Sequence, residues 1–140
     1  MQSRTHVLSA FLLTVLFCVA AFAQAKPELV AQQSAESWLA LTDAGKYADS
    51  WAQAAEAFKG AVTTDQWVGA LNTVRTPLGK LISRKLKSAT YTKNLPNAPV
   101  GEYVVLQFES TFENKASAQE LLTPMLEKDG KWRVSGYFIK

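Results

Sequence analysis

The apolar residues of this 140-residue chain change their period once, near Leu81, and that single change limits the fold more than any other feature. Ahead of it they recur at helical spacing. Ala31, Ala35, Trp38 and Leu39 predict a helix from Pro27 to about Ala44, with Pro27 suited to a first turn and Gly45 to the stop. A second helix is predicted from about Asp49 to Lys59, where Trp51, Ala54, Ala55 and Phe58 fall at i, i+3, i+4 and i+7 before Gly60. A third opens at Thr63-Thr64-Asp65-Gln66, a capping-box pattern with Thr63 as N-cap, and carries Trp67, Ala70, Leu71 and Val74 until Pro77 stops it.

Beyond Leu81 the period is two. Strands are predicted at Leu81–Lys93, Glu102–Phe112, Ala118–Glu127 and Lys131–Ile139. In the second of these, Val104, Leu106, Phe108 and Phe112 share one face, while Tyr103, Gln107, Glu109 and Thr111 share the other. Asp129-Gly130 is a two-residue hairpin signal between the last two. The expected fold is therefore α+β: three N-terminal helices packed on a four-stranded antiparallel sheet. No internal repeat or linker rich in proline, glycine and serine divides the chain.

The segment ahead of Pro27 reads as an address. Arg4 precedes an apolar stretch from Val7 to Phe22, and Ala21-Phe22-Ala23 fits a small-x-small cleavage signal before Gln24, with Lys26 as the alternative new N-terminus. Residues 1–23 are thus expected to be a signal peptide and residues 24–140 a single periplasmic or secreted domain. The stretch is short for a membrane span, and no charged stop-transfer segment follows it. Cys18 is preceded by Phe17, unlike the small residue that lipid attachment requires, so no lipid anchor is expected.

Cleavage removes both the one cysteine and the one histidine, His6. The remaining domain lacks the side chains for a Ser-His-Asp or Cys-His nucleophile, for a typical zinc site, or for a disulfide. No metal or cofactor is expected. The chain has 15 basic and 12 acidic residues, and losing Arg4 lowers the balance from +3 to +2. So mild a charge gives no reason to expect nucleic acid as a partner.

The order of elements looks like the cone folds called cystatin-like and nuclear-transport-factor-2-like. More specific strings are Ser50-Trp51 with Ala54-Ala55 and Phe58-Lys59, then Trp67, Arg75, Pro77-Leu78-Gly79 and Arg84. Leu95-Pro96, Gly101 and Tyr103-Val104-Val105 follow, and Asp129 through Val134 with Gly136-Tyr137-Phe138-Ile139 closes the set. Together they resemble the exported bacterial family known as domain of unknown function 4019. The resemblance implies a fold and an exported habit, and brings no catalytic residues with it.

In a cone fold the mouth between helices and sheet is the natural pocket. Its candidate lining here is Arg75, Arg84, Tyr103, Gln107 and Tyr137, with the tryptophans Trp38, Trp51, Trp67 and Trp132 either lining it or filling the core. Charge is segregated along the chain. No acid occurs between Asp65 and Glu102, where Arg75, Lys80, Arg84, Lys85, Lys87 and Lys93 lie, and acids dominate from Glu102 to Asp129. That layout suits either a basic patch for an anionic partner or cross-strand ion pairs. The functional expectation is a non-enzymatic binding or interaction module for a small ligand or a protein, with homodimerisation a further expectation. The alternative is an isomerase- or dehydratase-like enzyme using Glu109 as base and Tyr103 or Tyr137 as donor, by analogy with ketosteroid isomerase.

Overall fold

The computed structural model describes residues 24–140; the expected signal peptide, with Cys18 and His6, lies outside the described residues. Helix α1 (Pro27–Asp43) is followed by α2 (Tyr47–Ala52), α3 (Glu56–Ala61), α4 (Thr64–Val74) and one turn of 3-10 helix at Thr76–Leu78. Strands β1 (Leu81–Thr92), β2 (Tyr103–Phe112), β3 (Lys115–Leu126) and β4 (Trp132–Ile139) then form an antiparallel sheet in the order β1-β2-β3-β4. The domain is α+β with its helices ahead of its sheet, as the change of period requires.

The helices bury one side of the sheet. Ala31, Ala35, Trp38 and Leu39 of α1 pack against Val104, Leu106, Phe108, Leu122, Val134 and Tyr137. Strand alternation sends Gln107, Glu109, Leu121 and Phe138 to the opposite, helix-free side. Local chemistry explains α4 well. Thr63 Oγ1 accepts from the Gln66 N–H at 3.3 Å, and Gln66 Oε1 accepts from the Thr63 N–H at 3.0 Å, so the capping box is complete.

Two differences from expectation exceed the one or two residues by which element ends routinely vary. The helix predicted over Asp49–Lys59 is two short helices, because the backbone breaks at Gln53–Ala55. There the Ala55 N–H leaves the helical ladder and bonds the Val134 carbonyl of β4 at 2.9 Å. Trp51 then closes the corner, its Nε1 donating to the Val62 carbonyl at 2.7 Å. Strand β3 begins at Lys115, three residues earlier than expected, because Phe112 and Lys115 pair directly across the Glu113–Asn114 turn.

Candidate functional site

The interior holds a charged network that touches every strand. Glu120 lies on the inward face of β3 between Ala118 and Leu122 and is 0% exposed. Arg84 of β1 reaches it with Nε at 2.6 Å, Tyr137 of β4 donates its hydroxyl at 2.6 Å, and Ser110 of β2 donates at 2.5 Å. Arg84 then turns its other nitrogens to Asp43, the last residue of α1, at 2.7 and 3.0 Å. Arg75, the C-cap of α4, meets the same carboxylate at 3.2 Å and the Gly79 carbonyl at 2.6 Å, with its guanidinium 4.4 Å from the centre of the Phe112 ring. Two arginines thus balance two carboxylates inside the protein.

This arrangement governs protonation. Burial alone would lower the Arg84 pKa, but hydrogen bonds to Asp43 and Glu120 outweigh it and raise the pKa above its ordinary value. Burial, reinforced by the neighbouring Glu120 charge, pushes the Tyr137 hydroxyl far above the usual tyrosine range. Both oxygens of Glu120 are occupied by donors, so it has no free lone pair aimed at a cavity and is poorly placed to take a proton from a substrate.

Beside this network the space between helices and sheet is filled by aromatic rings. Trp38 lies 5.4 Å from Tyr137 and 5.9 Å from Trp67, centroid to centroid, and Phe58 meets Trp67 edge-on at 4.9 Å. Buried Ser50 satisfies both indoles: its carbonyl accepts from Trp38 Nε1 at 2.7 Å and its Oγ accepts from Trp67 Nε1 at 2.9 Å. Tilted and edge-to-face rings with paired N–H groups are a packed core.

The five pocket candidates therefore separate. Arg75, Arg84 and Tyr137 come together in one ion network rather than around a cavity, Arg84 and Tyr137 on Glu120 and Arg75 through Asp43. Tyr103 alternates away from Val104 and is buried beneath the loop before β2, its hydroxyl donating to the Pro99 carbonyl at 2.7 Å. Gln107 lies on the helix-free face. Glu109 shares that face, is half-exposed and pairs with Lys87 at 3.2 Å, so it stands across the sheet from Tyr137. Asp43, Ser110 and Glu120 were missed by the sequence reading. For Glu120 a signal existed: its alternation with Ala118 and Leu122 marks an acid on an apolar face.

The open concavities are on the surface. A cleft of about 690 Å³ runs between Ala52, Glu56, Ala57 and Lys59 on one side and Met125–Asp129 with Val100 on the other. Most of its charges are internally paired: Glu127 binds Arg133 and accepts from the Glu56 N–H at 2.7 Å, and Arg133 holds Asp129 at 2.9 Å, while Lys128 makes no ion pair among the described residues. The hydrogen bond from Arg133 keeps the Asp129 carboxyl below its usual range.

The sequence of this fold, from Ser34 in α1 to Tyr137 in β4, matches the model of the family described as protein of unknown function DUF4019, over residues 34–137. The chain belongs to that family. The matched span contains the complete charged network and the Trp38–Trp67–Tyr137 cluster, so the features above are built within the DUF4019 region itself. No curated protein matches the chain. Among the described residues no helix is long and apolar enough to cross a membrane.

Proposed function

We propose that this DUF4019 protein is an exported, non-enzymatic interaction module that meets a protein partner through its outer surface. One observation carries the reading: the space where a cone fold would hold a ligand is occupied by Trp38, Trp67 and Tyr137, beside an ion network in which two arginines meet two carboxylates and only Arg75 Nε among the buried polar side-chain atoms of the described residues lacks a partner. A small-molecule site needs a cavity with a few unsatisfied polar groups converging on it. An acid–base enzyme needs a free carboxylate opposite a donor, and Glu109 faces Lys87 on the far side of the sheet. Export rests on the leader-like Val7–Phe22 stretch and the Ala21-Phe22-Ala23 signal. The helix-free sheet face supports contact with a partner, since it presents Phe138 at 65% exposure with Leu121 beside it.

Native mass spectrometry of the protein recovered from the bacterial envelope tests this. The expected species begins at Gln24 or Lys26 and carries no small molecule, and photo-cross-linkers placed at positions 121 and 138 capture discrete protein adducts. A stoichiometric small-molecule adduct would overturn the reading, as would silence from cross-linkers over the whole outer surface.

A further inference from the structure

The two edges of the sheet are finished differently. At β4 the Ala55 N–H bonds the Val134 carbonyl, and α3 starts directly from that contact. At β1 one row of backbone groups pairs with β2, and among the described residues no other backbone group bonds Leu81–Thr92. An open row of N–H and C=O groups is a template for another strand.

Natural edges are guarded by shortness, lysines and bulges. Here the guard is partial. β1 runs for 12 residues, against a common strand length of about five or six. Register shifts interrupt it at Leu81/Ser83 and Leu86/Ser88, leaving Ser88–Thr92 in unbroken register with Gln107–Tyr103. Basic side chains predominate beside it, although Glu102 accepts from the Tyr91 hydroxyl and Glu109 pairs with Lys87. Lys80, Lys85 and Lys93 make no ion pair among the described residues, and Lys87 has only Glu109. Ile82, 65% exposed at the first shift, adds an apolar contact beside the lysines.

We propose that the β1 edge receives an acidic extended segment of a partner protein by strand addition along Ser88–Thr92. The inference rests on the interaction-module reading and names the surface and the partner's chemistry. A guest strand would lie about 4.8 Å from β1, within reach of long side chains on the shared face. Its main chain supplies bonds that do not depend on sequence, and carboxylates flanking the paired segment meet Lys85 and Lys87 at one end and Lys93 at the other. Complementary charge sets the orientation of the guest and speeds the encounter.

The probe is a fluorescein-labelled peptide of alternating glutamate and threonine, titrated into the purified protein at low salt. Its control is the same peptide N-methylated at alternate amides, which keeps the charge and removes the strand donors. The expected results are saturable binding, at least tenfold slower amide exchange across Ser88–Thr92, and at least tenfold weaker binding of the N-methylated peptide. The double variant Lys85→Glu/Lys93→Glu is expected to lose at least tenfold in affinity with unchanged thermal unfolding. Absence of binding overturns strand addition. So does equal binding of both peptides without new protection on β1, which would mark a simple polyanion site such as an anionic lipid surface would use. Either failure leaves the interaction-module reading standing if cross-links at positions 121 and 138 persist; a retained small molecule removes that reading whatever the peptide does.

Discussion

Replacing Glu120 with leucine isolates what the buried network contributes. The substitution keeps a side chain of similar volume but withdraws the acceptor from Tyr137 and Ser110 and one of the two carboxylates from Arg84. A buried donor left without a partner costs about 1–3 kcal/mol, and two hydroxyls are orphaned. Removing one partner of a buried ion pair costs about 3–5 kcal/mol, moderated here because Asp43 still holds Arg84 through two nitrogens. The expected loss for Glu120→Leu is therefore about 3–5 kcal/mol, a large share of the roughly 5–15 kcal/mol available to a domain of this size. The double variant Arg84→Met/Glu120→Leu removes both charges and is expected to cost less than the two single losses added together, by about 1–3 kcal/mol. Urea unfolding followed by tryptophan fluorescence measures all four species of the cycle. A loss below about 1 kcal/mol for Glu120→Leu, or strict additivity in the double variant, would refute the claim that Glu120 and Arg84 support one another.

Three further outcomes follow from the same geometry. Tyr137 ionises near 10.0 when unfolded and well above that in the fold, so its contribution is complete below that pH and is lost as pH rises beyond it. Unfolding free energies from urea titrations between about pH 9 and 11 are expected to fall more steeply for the native protein than for Tyr137→Phe, by up to about 1.4 kcal/mol per pH unit. Ser50→Ala leaves the Trp67 indole N–H without its acceptor and is expected to cost about 1–3 kcal/mol in the same unfolding assay. Gly79→Ala is expected to lower stability by at least 1–3 kcal/mol, because Gly79 has φ +74° and an added Cβ would lie 2.7 Å from Glu113 Oε2.

Local information carried much of the fold into the sequence. The capping box at Thr63–Gln66 is legible because donor and acceptor are three residues apart, and the strands are legible because one face of β2, β3 and β4 is buried and that of β1 partly so. The break at Gln53–Ala55 is not, since its cause is a carbonyl on Val134, a partner that no local pattern reports. The candidate site divides the same way. Arg75, Arg84 and Tyr137 were singled out by residue type, but their meeting depends on the side-by-side order of β1 to β4 and on Asp43 arriving from the end of α1. Charge segregation hid Glu120 among the acids from Glu102 to Asp129, where period two alone could have set it apart. Cross-strand pairing accounts for part of that segregation, through Arg84–Glu120 inside and Lys87–Glu109 outside.

The Ser34 hydroxyl of α1 donates to the Trp132 carbonyl at 2.6 Å, joining the first helix to the first residue of the last strand. This contact sets the timing of assembly. A chain synthesised from its N-terminus presents the apolar stripe of α1 first and completes its cover only when β4, nearly the whole domain later, joins β2 and β3 against it. Closure of so distant a contact is slow compared with helix formation. A nascent chain halted before Trp132 would therefore leave the core around Trp38 and Leu39 incompletely covered, lacking Val134 and the Tyr137 ring.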